Sequence, residues 1–116
     1  MKRNFLTTPL EPRVGIHDGE GSVGLAEIWS RDDFRGNWDF VDRLLLPPGS
    51  TVGTHRHGDN EELYIVLKGR GVMTMNGESF SVAEGDMMLN PPGGEHGLVN
   101  DSGEDIDLLI IQVRVP

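Results

Sequence analysis

The sequence predicts an all-β domain, and three observations carry that expectation. Sixteen glycines and seven prolines are spread through 116 residues. No long apolar stripe recurs with the helical period of about 3.6 residues. Short apolar runs alternate instead with turn-forming clusters, among them Pro47-Pro48-Gly49, Lys68-Gly69-Arg70-Gly71, Asn76-Gly77, Glu84-Gly85-Asp86 and Pro91-Pro92-Gly93-Gly94.

Taken in chain order, residues 1–37 are the least regular part. They read as an N-terminal arm with a possible edge strand around Val23 to Trp29. Residues 38–116 hold the regular strands, which read as a sandwich or barrel, and the chain is one domain overall. Strands are expected over Trp38–Leu46, Glu62–Leu67, Val72–Met75, Ser79–Val82, Met87–Leu89 and Ile106–Val113. Asn76-Gly77, flanked by Val72–Met75 and Ser79–Val82, predicts a two-residue type I′ hairpin, whose central residues both need positive φ. Leu63 to Leu67 and Leu108 to Ile111 are apolar on both faces. A barrel has one interior, so the other face of these strands needs a second sheet, the arm or a partner subunit.

The composition excludes several classes of function. Hydrophobic residues make up 36% and charged residues 25% of the chain, ordinary values for a globular protein. No apolar run reaches membrane-spanning length. The basic start, Met1 to Leu6, is interrupted at Pro9 and Pro12 before an apolar signal region can form. With no cysteine there are no disulfides and no thiolate metal sites, which fits a cytoplasmic protein. A net charge of −9 without a Lys/Arg stripe argues against nucleic acid and anionic membrane surfaces as partners. Gly19 to Gly24 matches G-x-G-x-x-G, but no strand precedes it and no helix is expected after it, so the dinucleotide reading fails.

The chemistry gathers elsewhere. His55 and His57 are two apart, so on a strand both side chains share one face. Glu62 follows after the four-residue stretch Gly58 to Glu61, and His96 comes later, after a Pro-Gly turn. Three imidazoles and a carboxylate form a borderline donor set that suits a divalent transition metal: Mn, Fe, Co, Ni or Zn. Four such ligands leave two positions of an octahedron for water or substrate. Taken by itself, the H-x-H pair fits an exposed or structural role as readily as a metal.

The surrounding residues decide between these. Gly49, His55, His57, Glu62 and Gly69 resemble the first cupin motif, G-x5-H-x-H-x(3,4)-E-x6-G, at every fixed position. Gly85, Pro91, Gly93, His96 and Asn100 resemble the second, G-x5-P-x-G-x2-H-x3-N. The chain is thus similar to the cupin superfamily (RmlC-like) between Gly49 and Asn100. The resemblance implies a jelly-roll barrel, or double-stranded β-helix, with both motifs facing one cavity. It also implies one metal ion per chain, held by His55, His57, Glu62 and His96, with Glu62 selected over Glu61. Gly49, Gly69, Gly85, Pro91, Gly93 and Asn100 read as turn residues.

Strand phase extends this to a pocket. If Glu62 points inward, so do Tyr64 and Val66, which makes Tyr64 a candidate catalytic acid or hydrogen-bond donor, with a packed barrel aromatic as the alternative. Phe40 and Asp42 on one strand and Leu108 and Ile110 on another are the candidate substrate-pocket residues. The methionines Met73, Met75, Met87 and Met88 are expected to fill the core. His17, outside both motifs, is expected at the surface and not as a fifth ligand. The function expected from the resemblance is an enzyme acting on a small polar metabolite, a sugar or organic acid, as an isomerase, a lyase or decarboxylase, or a dioxygenase. The alternative is a non-catalytic small-molecule-binding cupin. With Glu62 inward, Leu63, Ile65 and Leu67 face outward, which points to a two-fold homodimer.

Overall fold

A computed structural model describes residues 1–116 as two facing antiparallel sheets. The strands are β1 (Glu11–Val14), β2 (Ser22–Ser30), β3 (Trp38–Leu46), β4 (Thr51–Arg56), β5 (Asn60–Lys68), β6 (Arg70–Met75), β7 (Glu78–Ala83), β8 (Met87–Asn90), β9 (Glu95–Val99) and β10 (Ile106–Arg114). One sheet has the order β1-β2-β3-β10-β5-β8 and the other β4-β9-β6-β7. The only helical pieces are two three-residue 3-10 turns, Ile16–Asp18 and Arg31–Asp33. No helix is long and apolar enough to cross a membrane. The all-β expectation therefore holds, as a jelly roll.

Each regular strand reads as its side chains dictate. β3 alternates with Asp42, Leu44 and Leu46 buried, and β10 with Ile106, Leu108 and Ile110 buried. The leucines and isoleucines among them meet Val52, Met73, Val82 and Leu98 from the other sheet in one core. Between β6 and β7, Asn76 (φ 48) and Gly77 (φ 83) make the two-residue turn, with Met75 paired to Glu78. Positive φ at both positions is the requirement that Asn-Gly meets at little cost. Asn100, fully buried, ties a corner of the barrel together. Its amide donates to the carbonyls of Leu46 (2.8 Å) and Glu104 (2.7 Å) and accepts from the Ser102 backbone (3.0 Å) and hydroxyl (2.7 Å).

The first residues are more regular than the sequence suggests. The strand expected near Val23–Trp29 is β2, which pairs with β3 on one side and the unforeseen β1 on the other. The N-terminal stretch then covers the outer side of this end of the sheet. Arg3 donates to the Ile28 carbonyl and lies 4.2 Å over the Trp29 ring, Leu10 fills the space beside Gly24, and the Phe5 carbonyl accepts from Arg43.

The outer face of the other end stays apolar. Register aligns Val41, Ile111, Leu63 and Leu89 in one cross-strand row and Arg43, Leu109, Ile65 and Met87 in the next. Met87 is 60% and Leu89 56% exposed, so Met87 does not fill the core as expected. β8 is an edge strand whose odd positions point outward, while Met88 and Asn90 reach the interior.

Candidate metal centre

Three strands from both sheets bring four donors together. His55 lies near the end of β4 and His57 just beyond it, His96 is on β9 directly opposite His55 in register, and Glu62 is on β5 of the facing sheet. β4 does not alternate simply. Its register slips between Val52 and His55, so Val52 and His55 both serve the interior although an odd number of positions separates them. Gly53 sits in this irregularity, where a Cβ would collide with the His17 carbonyl. Glu62 is 5% exposed and its neighbour Glu61 is turned outward, the choice that the spacing implied.

The four side chains converge closely. The Nε2 atoms of the three histidines form a nearly equilateral triangle with edges of 3.1 Å (His55–His57), 3.0 Å (His57–His96) and 3.1 Å (His96–His55). Glu62 Oε1 lies 3.2 Å from His57 Nε2 and 3.1 Å from His96 Nε2, with no comparable approach to His55. All four donor atoms fall within 4.8 Å of one another. An octahedron with bonds of about 2.1 Å has adjacent vertices about 3.0 Å apart and opposite ones about 4.2 Å apart. The cluster suits a metal on this ground: three histidines on one octahedral face, with the carboxylate adjacent to two of them.

Outer contacts orient the rings. His55 Nδ1 is 2.7 Å from the Gly53 carbonyl, which can only accept, so Nδ1 carries the proton and Nε2 presents its lone pair to the cluster. His57 Nδ1 donates in the same way to Asn60 Oδ1 at 2.6 Å. His96 Nδ1 is buried without a partner. Burial lowers His55 to about 4, outweighing its hydrogen bond to Gly53. Burial alone would raise Glu62, but hydrogen bonds with His57 and His96 prevail and bring it down to about 2. The hydrogen bond with Glu62 in turn raises His57. At neutral pH His55 is an uncharged imidazole and Glu62 a carboxylate, the forms that ligate cations.

His17 is exposed, as expected, but it is not remote from the cluster. Its ring stacks on that of His55, with centroids 3.5 Å apart and planes 11° from parallel. It is carried by the 3-10 turn Ile16–Asp18, in which His17 (φ 50) and Asp18 (φ 60) are both left-handed, a strained arrangement for residues with a Cβ. The strap is fixed by hydrogen bonds between Glu20 and Thr51 of 2.8 and 2.9 Å. The clue in the sequence was the glycine pattern. Gly19 lies on β4 so closely that a Cβ would strike the Thr51 carbonyl, and Gly53 lies beneath His17. Gly19 thus serves backbone contact, not a nucleotide.

A cavity of about 160 Å³ opens beside the donors. Glu62, Tyr64, Phe40, Asp42 and Ile110 line it, together with His17 and aliphatic side chains. Leu108, expected among them, lies deeper: it is fully buried in the core between Leu44 and Val66 and does not reach the cavity. Tyr64 is 3% exposed with its ring centroid 4.9 Å from that of His96, and burial raises its phenol so that the hydroxyl stays protonated. Asp42 is 8% exposed, its Oδ1 has no partner, and burial, with smaller contributions from Glu27 and Glu62, raises it to about 7.

Comparison with known proteins points one way. A family model described as a cupin domain matches residues 43–112. An oxalate-binding protein from Thermotoga maritima is 32% identical over 96 residues, which cover 83% of this chain and 79% of that protein. The crystal structure of a predicted oxalate decarboxylase from Thermotoga maritima aligns with a TM-score of 0.96 over 99% of this chain and 100% of that chain, at 28% identity. A gentisate 1,2 dioxygenase from Aquipseudomonas alcaligenes is 30% identical over 92 residues, 79% of this chain and 24% of that enzyme.

The raised Asp42 carboxyl has a consequence for stability. An acid whose folded pKa lies above its unfolded value holds a proton in the folded state that the unfolded state releases. Folding stability from Asp42 is therefore highest near pH 4 and falls as pH rises through about 7. Asp42→Asn should gain on the wild type by about 2–4 kcal/mol between pH 4 and 8, most of it by pH 7. Denaturation curves at matched metal content check this, and parallel stability profiles for the two proteins would contradict it.

Proposed function

The chain belongs to the cupin family, and from that footing we propose that it is a metal-dependent enzyme acting on a small organic acid or sugar, with His55, His57, Glu62 and His96 as the metal ligands. The observation that carries this reading is the triangle of three Nε2 atoms with edges of 3.0–3.1 Å beside a buried carboxylate. Lone pairs this close repel unless a cation lies among them, and two of the three rings have their other nitrogen committed to an acceptor. A bound Mn, Fe, Co, Ni or Zn ion would supply Lewis acidity toward a carbonyl or carboxylate, or activation of O₂.

The protein's own groups divide the remaining work. Gly53 and Asn60 fix the tautomers of His55 and His57. Phe40, Leu44 and Ile110 give the cavity apolar walls, and its volume admits a ligand of about benzene size, since a cavity of about 150 Å³ holds benzene. Tyr64 holds its proton beside the donors and is the group suited to give it to a substrate oxygen, or to hydrogen-bond that oxygen. The names of the relatives favour a lyase, decarboxylase or dioxygenase working on an organic acid over a sugar isomerase. A second reading, a non-catalytic binding cupin, has one specific support: the 32% identical relative is named for binding oxalate.

The outer apolar rows argue for assembly. Half-buried Leu63, Ile65, Leu109 and Ile111, with exposed Met87 and Leu89 beside them, form an apolar surface beyond the contacts of Arg3 and Phe5, and a second copy packed about a two-fold axis would cover it. The protein is thus a homodimer in this proposal.

Purified protein should carry close to one transition-metal ion per chain by elemental analysis. His96→Ala should weaken metal affinity by at least about 10–100-fold, the scale seen for losing an outer-sphere partner alone. A wild-type protein that takes up none of Mn, Fe, Co, Ni or Zn would end the proposal. Once a substrate is found by thermal-shift screening, Tyr64→Phe should keep the metal and lower kcat by about 10²–10⁴-fold. An unchanged kcat would remove Tyr64 from the chemistry, and turnover by neither protein would favour the binding reading. Light scattering should give twice the 12.8 kDa chain mass, with Ile65→Glu shifting the protein to monomer. A monomeric wild type at micromolar concentration would refute the dimer.

A further inference from the structure

The cavity contains a buried carboxyl group that no other part of the protein serves. Asp42 is more than nine-tenths buried, its side chain takes part in no hydrogen bond, and one carboxylate oxygen is shut away without a partner. Its register partners are Ile110 on β10 and Glu27 on β2, neither of which offers a side-chain donor to a carboxylate at neutral pH. Leu25, Phe40 and Ile110 stand beside it in the cavity, which no Lys or Arg lines; Arg13 lines only the outer groove on the other side of Asp42, and the charged groups nearest in effect are the carboxylates of Glu27 and Glu62. A buried acceptor left without a donor is destabilising, the more so when it is charged. Water in the cavity can supply the donor while no ligand is bound. A ligand that fills the cavity expels that water and must bring a donor of its own.

We propose that Asp42 sets ligand specificity by accepting a hydrogen bond from a hydroxyl group at the end of the ligand remote from the histidines. This rests on the reading above, in which a metal held by His55, His57, Glu62 and His96 takes the oxygens at the other end. The donor is a hydroxyl because of what the walls can satisfy. An ammonium would bring three N–H groups and a full charge to a space whose polar groups are Asp42, the Tyr64 hydroxyl, the His17 ring and Glu62, and Glu62 is already engaged by His57 and His96. A hydroxyl brings one proton, and Asp42 takes it. Burial has brought the free carboxyl to about 7, the condition of an acid with no donor beside it, and a ligand hydroxyl would supply the stabilisation its anion lacks. The ligand class is a small hydroxylated organic acid. Oxalate, which has no hydroxyl in its dianionic form, would leave Asp42 unserved.

The test uses two probes of equal size with the same 2-oxo-acid head. Hydroxypyruvate ends in CH₂OH and 2-oxobutanoate in CH₂CH₃. Protein is reconstituted with Mn(II), its metal content is counted, and both dissociation constants are measured by calorimetry for wild type, Asp42→Leu and Asp42→Asn. Wild type should prefer hydroxypyruvate by about tenfold or more, the worth of a hydrogen bond to a charged group. Asp42→Leu should abolish or invert that preference without weakening 2-oxobutanoate. Asp42→Asn, which keeps an acceptor oxygen, should retain part of it, and it carries the comparison if the leucine variant does not fold. Equal affinities in wild type, an undiminished preference in Asp42→Leu, or no binding of either probe to metal-loaded protein would overturn the proposal while leaving the metal centre standing. Failure to load metal would overturn both.

Discussion

Four electron-rich atoms are held within bonding reach of one another in a place from which water is largely excluded, and the rest of the molecule is organised around that repulsion. Three imidazole nitrogens at 3.0–3.1 Å and a carboxylate at 3.1–3.2 Å are not a contact that side chains seek by themselves. They are brought together because β4 and β9 pair in one sheet while β5 lies in the other, so sheet packing brings the two sides of the cluster face to face. The core residues Leu44, Met73, Leu98 and Leu108 draw the sheets together through burial of apolar surface. Hydrophobic packing thereby fixes the separation of the donors, and a shared cation relieves what packing imposes.

Much of this arrangement was legible in the residues themselves. The strands β3, β5, β6, β7, β8 and β10 follow from alternation and turn residues, and Asn76-Gly77 specifies its hairpin by a backbone requirement few other pairs meet. Alternation from Glu62 correctly turns Tyr64 inward, because β5 pairs with β10 across that stretch without a slip. Where registers slip, phase arguments fail. β4, with its shift between Val52 and His55, gives no clean alternation to read. β1 is short and exposed along its whole length, so its side chains carry no apolar pattern, and only pairing with β2 defines it. Leu108 shares a face with Ile110 but sits a layer deeper, a distinction of depth that a period of two cannot encode. Met87 shows that an apolar residue can mark an uncovered outer face as readily as a core.

The two faces of the larger sheet have different chemistry for related reasons. On the inner face, one carboxylate, Glu62, is matched by histidines, and a second, Asp42, is matched by nothing in the protein. On the outer face, the charged pair Arg43–Asp107 at 2.8 Å is satisfied internally beside Lys68, and the rows running from it to the β8 edge carry Leu, Ile, Val and Met. A group left incomplete inside the cavity and a surface left uncovered outside are both places where the folded chain is unfinished without something else.

The strap bearing His17 has an evolutionary side. Its contact with β4 is made by backbone: the carbonyl of residue 17 occupies the space that any side chain at position 53 would need. No choice of side chain at position 17 can relieve a substitution at 53, whereas a change of strap length or of the left-handed residues at 17 and 18 could. The two segments are therefore linked as lineage constraints. A descendant that lost Gly53 would have to lift the strap, baring the outer face of the His55 ring, before the loss could be tolerated. The strap would be inherited, remodelled or discarded as a unit, together with the glycine 36 positions further along the chain.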